Sequence, residues 1–538
     1  MNPPLPVKSF WRWGIAALVL VIPLLVSPMV LLGLVAVAPE GVLDLSTLVA
    51  VVSDPVNIEL ARYTLVQAEA STVFALLIGL PAAHVIAHVR FPGRRTVRML
   101  LTLPIVLPPL VVALGFRELL VAAGREETGA VPVLLAHTCF GVAIVVRIMA
   151  GAWAHLDPRH EEAARMLGAS RLHAFASITL PALLPALLSA IALVFAFAFT
   201  SFGVVLVLGG GKDTIEMAVY RIALNPESAS IAATLGLLQL AVTIPLLGLY
   251  AGAQRYLTAR ARLTRTPGRS LRQISWRERI VVLLVLVATG VLVVAPIAAV
   301  IRGATMINGA LTTTYFDALM IPDADGRLPM GALRWSILIA AGSAIPGTFV
   351  GAMLGIAVAR ARRGGTAILG ALYLLPLALP AVTIAFAYLI TWQDDTPYSV
   401  PQAYAILLAA HAMIVAPFAL RAVVGPARAA DAREREAAVT LGASSGRAWR
   451  VIEWPLLRRA MIYGGALAFA MSLGETGATL LLARPEFSPI PVLIARALGE
   501  PSAAATGAAL ALGTMLMGLA VVAFVIIERL RPRDVGEF

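Results

Sequence analysis

EAARMLGASRLHAFASITLP, residues 162–181, returns 274 positions later as EAAVTLGASSGRAWRVIEWP, residues 436–455. Both copies share one spacing: Glu-Ala-Ala, three residues, Gly, nine residues, Ile, one residue, Leu or Trp, and Pro. The opening part predicts a short helix, from Glu161 to Leu167 and from Glu434 to Leu441, because both stretches are rich in good helix formers. Gly168 and Gly442 then stand where a left-handed C-cap is required. A second amphipathic piece follows. Pro181 and Pro455 start the next apolar run, since proline is tolerated in the first turn of a helix. A helix–Gly–helix unit of this kind suits insertion into a groove on a partner protein.

The duplication extends outward from these loops. Residues 336–362 repeat 64–90 at an offset of 272, and Arg334, Pro376 and Pro380 match Arg62, Pro104 and Pro108. After a two-residue insertion the offset becomes 274, so that His411, Arg421 and Phe469 match His137, Arg147 and Phe195.

The material around the motifs is apolar. Of 538 residues 59% are hydrophobic and 13% charged, against about 25% charged in soluble domains. One membrane-spanning helix needs about 20 apolar residues. Runs at about 14–38, 60–89, 98–120, 130–153, 182–208 and 228–253 are answered by a second set at about 280–303, 333–360, 366–391, 402–425, 457–483 and 504–528. The expected fold is therefore an all-α membrane protein of about twelve spans in two six-helix repeats. An even number of spans per repeat makes the copies parallel, related by a pseudo-two-fold axis along the membrane normal, with a pathway where the halves meet. The first half covers 1–254 with its loop at about 155–181, and the second covers 280–538 with its loop at about 429–455. A basic connector, 255–279, joins them.

Charge gives the orientation. The net charge of +12 is arginine placed between the apolar runs: Arg90, Arg94, Arg95 and Arg98, and the connector's Arg255, Arg260, Arg262, Arg265, Arg269, Arg272, Arg277 and Arg279. Alternating spans put every such cluster on the cytoplasmic side with both termini, and the Asp394-Asp395 loop outside, as the positive-inside rule requires. Nucleic-acid binding is excluded, because no basic stretch is interleaved with aromatics for stacking. Ala36-Val37-Ala38 resembles a signal-peptidase site, but its apolar run is too long and Pro39 follows it directly, so an uncleaved anchor is expected. The single cysteine, Cys139, can form no internal disulfide.

The paired loops resemble the EAA motif of permeases from binding-protein-dependent ABC importers, in the fused two-half form. That resemblance implies that Glu162, Ala163, Gly168, Glu436, Ala437 and Gly442 couple the chain to its ATPase. It further implies two copies of a separate ATP-binding subunit on the cytoplasmic face, an extracytoplasmic substrate-binding protein and a bacterial inner-membrane location. ATP and Mg belong to the partner ATPase; no cofactor, metal site or catalytic residue is expected in this chain. The stretch from Ser201 to Gly211, with Thr214-Ile215-Glu216 and Tyr220, resembles thiamine permeases. The matching stretch from Ser472 to Leu481 equally resembles ferric-iron and oxyanion permeases. A cationic solute, thiamine or its phosphates, is expected, with ferric iron as the alternative and polyamines or other small solutes behind it.

Ionisable groups inside spans are costly and mark function by default. Glu69 and Glu475 qualify, one in each half and each about a third of the way in from the outer face. The alternative for each is a local cap. Ser201 occupies the repeat position of Glu475, so Thr200, Ser201, Ser472 and Thr476 are expected to line the same pathway. His84 and His88, one helical turn apart, lack a third metal ligand and read as packing at a span's end. His137 and His411 read as a shared structural feature. Gly209-Gly210-Gly211-Lys212-Asp213-Thr214 fails as a phosphate loop: Leu206 and Asp213 stand where Gly and Ser or Thr are needed. An ion-coupled secondary transporter would need no duplicated docking loop, and a membrane enzyme would need a catalytic constellation that is missing here.

Overall fold

The computed structural model describes residues 19, 22–38, 44–125, 128–154, 156–263, 275–323, 326–360, 379–392, 399–429 and 432–530. The described fold is helical apart from two short strands, Met306–Ile307 and Ala310–Leu311. In the first half we label α1 (Ser27–Val37), α2 (Pro55–His88), α3 (Arg94–Thr102), α4 (Pro109–Ala122), α5 (Ala130–Ala154), α6 (Pro158–Met166), α7 (Leu180–Phe199), α8 (Gly203–Leu208), α9 (Ile215–Ile222) and α10 (Ala229–Leu263). In the second half follow α11 (Trp276–Thr305), α12 (Gly331–Arg360), α13 (Ala381–Trp392), α14 (Val400–Ala429), α15 (Ala432–Thr440), α16 (Trp454–Gly474), α17 (Gly477–Leu482), α18 (Ile490–Leu498) and α19 (Ala503–Leu530).

Among the described residues nine helices are long and apolar enough to cross a membrane: α2, α5, α7, α10, α11, α12, α14, α16 and α19. The other expected spans depart from straight rods. The first holds α1, of eleven residues, and the ninth holds α13, of twelve. The third is broken, its two arms meeting at 103°. Pro104, Pro108 and Pro109 lie at that break, where proline removes a donor and restricts the residue before it. Pro380 immediately precedes α13, while its companion Pro376 lies outside the described residues. Two further runs expected to be continuous, 182–208 and 457–483, are also interrupted. One restarts as α8 after Thr200-Ser201-Phe202, the other as α17 after Glu475-Thr476.

Two compact units form, and each draws on both sequence halves. One comprises described residues within 1–54, 216–240 and 309–536, the other those within 55–215 and 241–308. In the first unit α1 packs on α13, and Tyr388 donates its hydroxyl hydrogen to the Leu24 carbonyl. In the second, α11 packs on α4, with Gly115 against the Pro296 backbone. These contacts are repeat-related: Pro296 and Tyr388 stand 272 residues beyond Leu24 and Phe116.

Small residues let the main helices approach closely, as is usual where lipid removes the hydrophobic drive between spans. A Cβ on Gly347 would meet the Ala412 carbonyl oxygen at 2.8 Å and one on Gly355 the Leu420 oxygen at 3.1 Å. Between them Gly351 rests on the Ala416 carbonyl, so one stripe of α12 lies directly on α14. The matching stripe of α2 is Ala75, Gly79 and Ala83, with a Gly79 Cβ 2.8 Å from Val145 of α5.

Candidate docking loops and translocation pathway

The repeated loops fold as their spacing predicts. Asp157 caps α6 by accepting from the Arg159 amide at 2.9 Å, and Pro158 occupies the first helical position. At the other end the Ala169 and Gly168 amides donate back to the Ala164 and Arg165 carbonyls, both at 3.1 Å. The second copy repeats this six-to-one closure from Ala443 to Ala438 at 3.0 Å. Gly168 has φ +93° and Gly442 +89°, a left-handed conformation that strains any other residue.

Glu162, Ala163 and Gly168 are exposed, as are Ala437 and Gly442; the Glu436 side chain lies outside the described residues. Beside them Met166 and Leu167 are each 89% exposed, and Leu441 88%. Large apolar side chains presented this openly on a polar loop are of the kind a protein-binding surface uses. Each loop rejoins the membrane through a π-helical turn, Phe175–Thr179 or Trp449–Glu453. Thr179 donates to Glu161 of α6 at 3.0 Å. In the second copy Glu453 pairs with Arg360 at the end of α12.

Of the residues expected on the pathway, all but Glu69 lie at the interruptions of α7–α8 and α16–α17. Thr200 donates to the Ala196 carbonyl at 2.9 Å, and Ser201 is buried. In the second copy Ser472 Oγ lies 2.9 Å from Ser343 Oγ and 2.8 Å from His411 Nδ1, with His411 Nε2 3.0 Å from Thr479 Oγ1. The first copy solves the same burial differently. Gln67 Nε2 donates to the Ala198 carbonyl at 2.8 Å, leaving its Oε1 to accept from His137 Nδ1 at 2.9 Å. Ala198 and Val205 occupy the repeat positions of Ser472 and Thr479, so His137 Nε2 is buried with no partner.

Glu475 is half-buried. Its Oε1 accepts from the Ala478 amide at 3.1 Å, and the Gly477 and Thr476 amides also donate to the carboxylate. It therefore sits at the amino-terminal end of α17, where donors and the helix dipole favour an anion. Thr476 is buried beside it. Glu69 is exposed on α2 and belongs to the other unit.

Sequence reading named Glu216 only as part of the stretch resembling thiamine permeases and gave no role to its carboxylate, the most deeply buried among the described residues. It stands on the eight-residue helix α9, too short for periodicity to distinguish an inward face. The Ile215 amide donates to Thr64 Oγ1 at 3.0 Å, as the Ile490 amide does to Ser336 Oγ at 2.9 Å, which matches α9 to α18. The next pair is then Glu216 and Pro491. Glu216 has no exposed surface; its Oε1 accepts from the Val382 amide at 2.7 Å, and Thr383 Oγ1 and the Gln239 side chain complete its shell.

The smaller signals resolve into packing and turns. His84 and His88 pack as tilted rings with centroids 4.3 Å apart, and both stand edge-on to Trp153. Among the described residues no three His, Cys, Asp or Glu side chains are grouped to hold a metal. Gly209 to Lys212 form a tight turn closed by a 3.1 Å hydrogen bond, with positive φ at Gly210 and Gly211.

Residues 75–263 match the family of binding-protein-dependent transport system inner membrane components. The chain is 29% identical over 485 residues to the thiamine transport system permease protein ThiP of Brucella abortus, covering 86% of each chain. Against the Escherichia coli ThiP it is 27% identical over 516 residues, covering 90% of this chain and 91% of that one. A shorter likeness, 32% over 171 residues, joins it to the Salmonella typhimurium sulfate transport system permease protein CysT, covering 30% of this chain and 62% of that one. With its repeated loop and its run of apolar helices, the chain is similar over most of its length to permeases of binding-protein-dependent transport systems.

Proposed function

We propose that this permease imports thiamine, or its phosphates, delivered by an extracytoplasmic binding protein. Two copies of a separate ATP-binding subunit drive it from the cytoplasmic face, one at α6 and one at α15. Glu162, Ala163 and Gly168, with Glu436, Ala437 and Gly442, form the coupling surfaces. The observation that carries this reading is similarity along nearly the whole chain to thiamine permeases, spanning both copies of the loop. The sulfate permease, by contrast, matches over less than a third of the chain.

Mechanically, each loop is a rigid capped helix joined through a π turn to a span, α7 or α16, that ends at a helix interruption. Movement of a docked subunit is thereby delivered to Thr200 and Ser201 or to Ser472, Glu475 and Thr476. The Glu475 carboxylate, already held by amides, attracts a cation at little reorganisation cost. Glu69 adds an exposed negative charge on α2.

Proteoliposomes holding the permease, its ATPase and its binding protein test the proposal. Labelled thiamine should accumulate with ATP inside the cytoplasmic compartment and stop with vanadate. ATP-dependent uptake of ferric iron with none of thiamine would overturn the substrate, and uptake abolished by an uncoupler but indifferent to vanadate would overturn the mechanism.

A further inference from the structure

A carboxylate without exposed surface is expensive unless its oxygens are hydrogen-bonded, and Glu216 is bonded by three groups from two helices, α13 and α10. It comes from α9 of the first sequence half. Its strongest partner, the Val382 amide at 2.7 Å, lies in the first turn of α13 in the second half. The first four amides of a helix have no intrahelical acceptor. Those of α13 follow Pro380 directly, and the Val382 amide among them turns to an outside group. A Cβ on Gly236 would stand 3.0 Å from Thr383 Cγ2, so α10 lies close against the same turn. Helix α13 in turn packs on α17, the helix that Glu475 caps, and Glu475 is close enough to act electrostatically on Glu216.

We propose that Glu216 is a positioning residue for transport: reaching from the first sequence half, it pins the start of α13 and so fixes α17 with the Glu475–Thr476 interruption. Its hydrogen-bonding reach is what matters, and its charge is secondary. This proposal rests on the permease reading, while its first test does not.

Two conservative variants separate reach from charge. Glu216→Gln keeps an oxygen at full length and gives up the charge. Glu216→Asp keeps the charge and withdraws the oxygen by one methylene. In hydrogen exchange on the purified full chain, Glu216→Asp should speed exchange of the amides at 382–384 about tenfold, with Glu216→Gln within about threefold of the parent. In proteoliposomes Glu216→Asp should lose about tenfold in maximal uptake and hydrolyse more ATP per solute moved, while Glu216→Gln stays within about threefold on both. Exchange unchanged in Glu216→Asp overturns the clamp. Glu216→Asp transporting as well as or better than Glu216→Gln overturns the priority of reach over charge. A parent protein that moves no thiamine, yet shows the exchange pattern, counts against the substrate and leaves the clamp standing.

Discussion

Glu475 and Glu69 were equivalent as isolated acids in apolar runs, and their surroundings separate them. Glu475 has three amide donors at a helix start, whereas Glu69 is exposed. Glu475→Gln keeps an acceptor for the amides and removes the charge, so it should lower thiamine uptake about tenfold, roughly 1.4 kcal/mol, with ATPase co-purification unchanged. Glu69→Gln should change uptake less than threefold in the same assay. His137 offers a stability test. Val205→Thr places a hydroxyl where the second copy has Thr479, and should raise stability by about 1 kcal/mol, read as a higher midpoint in thermal unfolding in detergent. If the midpoint falls, the two histidines are not equivalent. At this scale sequence exposed the carboxylates inside spans, because charge is scarce there. It did not expose Glu216 or Gln67, whose roles depend on residues 166 and 131 positions away.

The repeated loops were readable to within a few residues, because a cap signal, a glycine and a proline each act locally. The interruptions at Thr200–Phe202 and Glu475–Thr476 were not, because no proline marks them and hydropathy runs straight through. Placing a bulky residue at Gly168 or Gly442 forces a left-handed conformation costing about 1–2 kcal/mol. Gly168→Leu and Gly442→Leu should therefore weaken ATPase co-purification severalfold while membrane levels stay normal; unimpaired transport in both variants would remove the loops from coupling. The α12 stripe is a different kind of glycine site, closed by backbone contact. Gly351→Leu must push α14 away, and overpacking of this sort costs about 1–3 kcal/mol, so the variant should accumulate poorly in membranes.

Across the whole chain, the repeat was visible in sequence while the exchange of segments was not. Offsets of 272 and 274 align the copies but are silent on which copy a helix packs against. The structure groups α1, α9 and the start of α10 with most of the second half, and α11 with most of the first. Residues 1–263 and 275–538, expressed alone, should each be degraded, since neither contains a complete unit. Expressed together as two chains, they should restore membrane accumulation and at least partial uptake. Stable accumulation of either alone, seen by immunoblot of membranes, would refute the exchange.

The pairing of Glu216 with Pro491 bears on how such a chain arose. A duplicated gene first encodes two interchangeable copies, and a symmetric homodimer of either would serve. Here interchangeability has gone. Two first copies would aim their acids at Leu110 and Val111, which take the places of Val382 and Thr383 but offer no hydroxyl. Two second copies would present Pro491 and no acceptor. The acid stands in one copy and the hydroxyl that meets it in the other, so neither copy alone carries both members of that contact.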